Sequence, residues 1–194
     1  ANGALHFWDA GRLTGTVPGS NDYTLALSRD GRVAALGGRA NRDVTLLDME
    51  SGAVLATIPG SYLTGGDPFL RVKSPLCFTP DGTAILTAVV EGNNDVTATT
   101  VRLHDARTGA RRGELTDSDF PCRIAVYSPD GSYCAFGGTG GLIRLRSGDL
   151  SRVVYTLRDP NGQVEFLAFS PDGRELISVA EKSGRWTFSR WDIV

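Results

Sequence analysis

Arg123-Ile124-Ala125-Val126-Tyr127-Ser128-Pro129-Asp130-Gly131-Ser132-Tyr133-Cys134-Ala135-Phe136 decides how this chain is read. Alternating apolar residues lead into Ser-Pro-Asp-Gly, and a second apolar run leaves it, the pattern of two strands joined by a tight turn. Proline presets the first turn dihedral, aspartate bonds back to the backbone, and glycine accepts the positive φ that follows. The tetrapeptide has relatives at Ser28-Arg29-Asp30-Gly31, Thr79-Pro80-Asp81-Gly82 and Ser170-Pro171-Asp172-Gly173, each between apolar segments. Self-similarity at such a period governs the architecture before any local reading does.

A second landmark follows each turn: Val44-Thr45-Leu46-Leu47-Asp48, Val101-Arg102-Leu103-His104-Asp105, Ile143-Arg144-Leu145-Arg146-Ser147 and Thr187-Phe188-Ser189-Arg190-Trp191-Asp192. Leu5-His6-Phe7-Trp8-Asp9 is a further copy near the start. Glycine-containing turns then lead to a last strand, as at Ser51-Gly52 and Thr108-Gly109, so the unit has four strands. A complete four-stranded unit that recurs predicts an all-β chain, a β-propeller of four-stranded antiparallel blades with about four blades present. The blades fall at 21–58, 70–115, 120–157 and 162–194, the last incomplete, with 1–20 ending another. Small residues at matching places in the first strands (Ala26, Cys77, Val126, Ala168) mark where neighbouring sheets pack closely.

These landmarks resemble the WD-repeat family: the Ser-Pro-Asp-Gly turn, and the Trp-Asp pair intact at Trp8-Asp9 and Trp191-Asp192. Leu47, His104 and Arg146 replace the tryptophan, and Ser147 replaces one aspartate. The Gly-His pair of that family is missing, so its buried His-Asp-Ser/Thr-Trp network is not expected here. The chain opens on the third and fourth strands of one blade and stops after the third strand of another. That strand count predicts part of a larger ring, completed by further blades or by a second copy as a homodimer.

The function this implies is a scaffold for protein–protein interaction, binding a protein or peptide and catalysing nothing. The alternative is a regulatory or sensor portion of a larger signalling enzyme such as a protein kinase, or part of a propeller enzyme whose catalytic residues lie elsewhere. With 20 basic against 22 acidic residues, a net charge of −2 favours neither nucleic acid nor an anionic membrane as partner. No run approaches the roughly 20 apolar residues of a membrane helix. Three cysteines without a C-x-x-C pair read as free thiols, which favours a reducing, cytoplasmic setting. His6 and His104 both fall in third strands, and no nucleophile elbow is present, so neither a catalytic set, a cofactor nor a metal is expected. Gly137-Gly138-Thr139-Gly140-Gly141 lacks the lysine of a phosphate loop and reads as a flexible turn.

Loops between second and third strands, and those joining blades, vary in length and are where binding residues tend to lie. Two of them supply the candidate partner-binding residues, Tyr62, Leu63, Asp67 and Phe69 from one and Glu91, Asn93, Asn94 and Asp95 from the other. Aromatic anchors rimmed by acidic groups make a plausible hot spot. Asp22, Asp117, Asp119 and Asp159 are expected on the same face, offset by Arg39, Arg42, Arg158 and Lys182 as a mixed, solvated surface.

Overall fold

The computed structural model describes residues 4–9, 12–18, 23–38, 43–60, 75–91, 98–117 and 122–193. The chain is all-β. Its four blades are β3(Tyr23–Leu27) to β6(Val54–Ile58), β7(Leu76–Phe78) to β10(Arg111–Asp117), β11(Cys122–Tyr127) to β14(Val153–Arg158), and β15(Gln163–Phe169) to β17(Arg185–Asp192). Between the ends of each run lie β4(Val33–Gly38) and β5(Val44–Asp48), β8(Ala84–Glu91) and β9(Ala98–Asp105), β12(Tyr133–Gly138) and β13(Leu142–Ser147), and β16(Glu175–Lys182). Each blade is a sheet of antiparallel strands in sequence order, four-stranded in the first three and three-stranded in the last. A two-stranded hairpin, β1(Ala4–Asp9) and β2(Arg12–Pro18), precedes them. First strands β3, β7, β11 and β15 lie beside one another in that order, so the blades form a β-propeller around an axis lined by those strands.

The repeated tetrapeptide builds the same turn each time. The Ser or Thr hydroxyl donates to the Asp carboxylate at 2.5–2.7 Å (Ser28–Asp30, Thr79–Asp81, Ser128–Asp130, Ser170–Asp172). The same hydroxyl accepts the N–H that opens the second strand, from Val33, Ala84, Tyr133 or Glu175. The carboxylate also takes a turn N–H, from Arg32, Thr83, Ser132 or Arg174. The glycines hold φ near +70°, as at Gly31 and Gly82, which a Cβ would oppose. Where the third strand ends in Ser147 instead of aspartate, Asp149 takes over, accepting from the Ser147 hydroxyl and the Ser151 N–H. The degenerate repeat thus keeps a carboxylate cap in a shifted position.

Alternation gives each blade two apolar faces, one toward the next blade and one toward the previous. Ala26, Val33, Ala35, Val44 and Leu46 of β3–β6 pack on Leu76, Phe78, Ile85 and Ala106 of β7–β10. In the same register Cys77, Leu86, Ala88 and Val101 meet Cys122, Ala125, Cys134 and Phe136. Val126, Ala135, Ile143 and Leu145 then meet Val164, Leu167, Leu176 and Trp191. Each fully buried aliphatic side chain contributes about 1.5–3 kcal/mol, so these seams are the core. Ala168, expected at a close seam like Ala26 and Cys77, is instead exposed, because it lies on the face of β15–β17 turned away from β11–β14.

The glycine run has a different role from the one its composition predicts. Thr139–Gly141 forms a single 3-10 turn between β12 and β13. A Cβ on Gly141 would come within 1.9 Å of the Asp159 carbonyl oxygen, and one on Gly137 within 2.7 Å of Val164 Cγ1. Gly137 and Gly141 are there because Val164 of the last blade and the backbone leading into it at Asp159 and Gly162 approach too closely for a side chain.

Candidate functional site

Of the candidate loop residues, Tyr62, Leu63, Asp67, Phe69, Asn93, Asn94 and Asp95 lie outside the described residues, and Glu91 is placed only as the end of β8. Among the described residues two cavities are lined largely by the first strands of the blades. The first strands and their turns line an open concavity of about 600 Å³ at the turn end, with Leu25, Leu27, Arg29, Cys77, Pro80, Val126, Tyr127, Pro129 and Pro171 on its walls. Arg29 Nη1 donates to the Pro129 carbonyl oxygen at 3.0 Å, joining the turn of one blade to that of the blade two places on. The rim is therefore apolar, rigid and marked by one cation.

Toward the other end a second cavity of about 160 Å³ is lined by Thr24, Leu76, Arg123, Ile124, Glu165 and Phe166. The ladders slip between Cys122 and Ile124 and between Val164 and Phe166, so Arg123 and Glu165 are both bulge residues. A bulge breaks the alternation and re-aims a side chain. Here it brings Arg123 Nη2 to 3.6 Å from Glu165 Oε1, both largely buried, while Gln163 Nε2 donates to the same carboxylate oxygen. The composition reading missed this pair. Its signal was present: two charged residues at the same offset before their turns, inside strands that should alternate apolar.

Other titratable groups are committed to architecture. Asp105 accepts the N–H groups of Thr108 and Arg107 and an Arg112 guanidinium contact at 2.6 Å, which together hold its carboxyl far below the usual range. The Ser128 and Ser132 hydroxyls and the Ser132 N–H lower Asp130 to about 2, and Ser147 and Ser151 do the same for Asp149. His104 is buried in a seam with Nδ1 at 3.1 Å from the Gly109 carbonyl oxygen, and burial lowers its pKa. Cys122 and Cys134 are buried, and burial raises the Cys134 thiol well above its usual value.

Asp159 is only 1% exposed, which corrects its assignment to a solvated surface. Its Oδ2 accepts the Ser178 hydroxyl at 2.7 Å, and Ser178 Oγ accepts Trp191 Nε1 at 2.9 Å. Asn161 donates its backbone and side-chain N–H to Oδ1, both at 3.0 Å. Burial alone would raise the Asp159 pKa, but these donors outweigh it and the net shift is downward. Without the Gly-His pair no buried polar network is expected, and this blade corrects that: it holds an Asp-Ser-Trp relay built without histidine. At the matching places in β7–β10, Thr87 and His104 are also buried, yet Thr87 Oγ1 and His104 Nε2 make no hydrogen bond.

Among the described residues no group of His, Cys, Asp and Glu is arranged to hold a metal ion, and no helix is long and apolar enough to cross a membrane. No family model matches the chain, and no curated protein sequence matches it.

Proposed function

We propose that this chain is a WD-repeat-type propeller acting as a protein-interaction scaffold, with the axial rim at the turn end as its principal binding surface. The observation that carries this reading is the rim itself. Four hydrogen-bonded turns fix an apolar concavity of about 600 Å³ whose edge includes the exposed side chains of Leu25 and Leu27, and Arg29 supplies a cation for a carbonyl or carboxylate. Concave, mostly apolar surfaces with few placed polar groups are the usual form of a recognition site. The Asp-Ser-Trp relay, joining a third-strand tryptophan to the second strand, supports the WD-repeat character. The loops carrying Tyr62, Phe69, Glu91 and Asp95 are the second candidate surface, for a protein or peptide partner.

Selection of binders from a random peptide library against the 194-residue chain tests this. Binders of the rim should lose roughly tenfold or more in affinity with Leu27→Glu or Arg29→Ala, the scale of a hot-spot loss. Binders of the loops should respond instead to Tyr62→Ala with Phe69→Ala, or to Glu91→Gln with Asp95→Asn. A library that yields no binder sensitive to either set refutes the scaffold reading at both surfaces.

A further inference from the structure

We propose that Cys77 and Cys134 form an oxidation site, at which a hydroperoxide converts the two thiols into a disulfide across the seam between the second and third blades. The site is independent of the scaffold reading and does not rest on it. All three cysteines of the chain lie in one seam. Cys122 and Cys134 belong to its buried core, and Cys77 packs against that core from β7. Their spacing in sequence gives no sign of this meeting, which the propeller makes by setting β7 beside β11.

Strand register selects the pair. Cys134 stands directly across from Tyr127, and residues so paired share one face of their sheet. That face of β11–β14 is the one turned toward β7–β10, and Cys77 packs on it from the other side of the seam. Cys77 and Tyr127 also line the turn-end concavity together. Burial raises the Tyr127 hydroxyl above its usual range, and the Cys134 and Cys77 sulfurs beside it add to the shift. Cys122 is placed elsewhere. It pairs with Gly138, four residues along β12 from Cys134, which is about 13 Å at the rise of a strand. Its thiol donates to the Ile124 carbonyl oxygen at 3.3 Å. A disulfide joins Cβ atoms only about 4 Å apart, so Cys77, and not Cys122, is the partner for Cys134.

Access sets the order of reaction. Cys77 is half-buried on the wall of the open concavity, whereas Cys134 is fully buried behind it. Burial, and after it the Cys77 side chain, hold the Cys134 thiol well above its usual value, so it stays protonated and does not meet an oxidant on its own. Cys77 therefore reacts first. Its sulfur takes one oxygen of the hydroperoxide, the O–O bond breaks, and the thiol proton leaves with the other oxygen, as water when the oxidant is hydrogen peroxide. The product is a sulfenic acid, which condenses with a neighbouring thiol. The Cys134 sulfur displaces the hydroxyl of that acid, which departs with the Cys134 proton as a second water. Two thiols and one hydrogen peroxide thus give one disulfide and two waters. The new bond ties β7 to β12 and removes the Cys77 thiol from the concavity wall.

The test treats the full 194-residue chain with a small molar excess of hydrogen peroxide, blocks the remaining thiols with N-ethylmaleimide, and digests with trypsin without reduction. Cleavage separates the three cysteines into peptides 74–102, 113–123 and 124–144, which mass spectrometry distinguishes. A dithiothreitol-sensitive link between 74–102 and 124–144 of one chain is expected, and Cys122→Ala should leave its yield unchanged. Cys77→Ser, at a half-buried position, should abolish the link and leave Cys134 unoxidised. Cys134→Ala should strand Cys77 as the sulfenic acid, raising its capture by dimedone roughly tenfold or more over the unsubstituted chain. Should Cys134→Ala fail to fold, as read by circular dichroism, the other two variants still decide the matter. No reaction at Cys77, its oxidation to sulfinic acid with no link, a link through Cys122 or a link between two chains overturns the proposal. Oxidation of Cys134 at an undiminished rate in Cys77→Ser overturns it as well.

Discussion

Replacing Asp159 by alanine should cost far more than its loop position suggests. The carboxylate takes the hydroxyl of Ser178, a fully buried residue, at 2.7 Å and two donors from Asn161 at 3.0 Å. Hydrogen bonds to a charged acceptor contribute about 1.5–3 kcal/mol, and a buried hydroxyl left without its acceptor costs about 1–3 kcal/mol. Relief of the carboxylate's own desolvation offsets part of this, which places the net loss near 3 kcal/mol. With a urea slope of about 2 kcal/mol/M, the unfolding midpoint should fall by about 1.5 M at neutral pH. Asp159→Asn keeps an acceptor for Ser178 and should recover much of the loss. The sign with pH follows from the lowered native pKa: the stabilisation is complete above the ordinary carboxylate range and is lost as pH falls through the native value. In a double-mutant cycle with Ser178→Ala, coupling of at least about 1 kcal/mol is expected. A midpoint shift corresponding to less than about 0.5 kcal/mol, or strict additivity in the cycle, would refute the relay.

Gly137→Ala forces a methyl within 2.7 Å of Val164 Cγ1 and 2.9 Å of Ile124 Cγ2, and should cost about 1–3 kcal/mol by chemical denaturation. Gly113→Ala, with nothing within 4 Å and no positive φ, is its control and should be neutral or stabilising. The Tyr127 hydroxyl is buried without a partner, so Tyr127→Phe should be neutral or stabilise by up to about 1 kcal/mol; a loss of that size would show that water satisfies it. His104 has a lowered native pKa from burial, with Arg102 and Arg111 adding to it against the Gly109 bond, so the unfolded chain binds the proton more readily. Stability should therefore decline as pH falls through the ordinary histidine range, and His104→Gln should flatten that part of the stability curve.

What the chain displays in sequence is what its turns and alternation specify locally. The hydrogen bonds that shape the turn at Ser128, Pro129, Asp130 and Gly131 run among these residues, Ser132 and Tyr133, so the turn and both flanking strands could be read within one short window, although the Arg29 bond to the Pro129 carbonyl could not. Asp159 is different, because its partner Ser178 is a strand away and nothing beside Asp159 distinguishes a buried acceptor from a solvated loop acid. Glycines 137 and 141 likewise look like flexibility until the neighbouring sheet is in place. Arg123 and Glu165 were legible as charges in apolar strands, but their meeting depends on two bulges that their composition does not announce. The loop candidates Tyr62, Leu63, Asp67, Phe69, Asn93, Asn94 and Asp95 lie outside the described residues.

The repeat also separates two meanings of an apolar residue. Leu86, Ala135 and Ile177 stand at the same step of the second strand, and the first two are fully buried by the neighbouring blade while Ile177 is exposed. Val44, Ile143 and Phe188 divide in the same way along the third strand. Alternation and turn chemistry are alike in these blades, and the difference is position: Ile177 and Phe188, like Ala168, lie on the face of β15–β17 turned away from β11–β14. Scattered exposed apolar residues are ordinary, but contiguous ones mark a site of interaction. Phe166, Ile177, Trp186 and Phe188 share the face of β15–β17 that corresponds to the one covered by the following blade in each of the other three, so the alternation that builds those seams is written into this sheet as well.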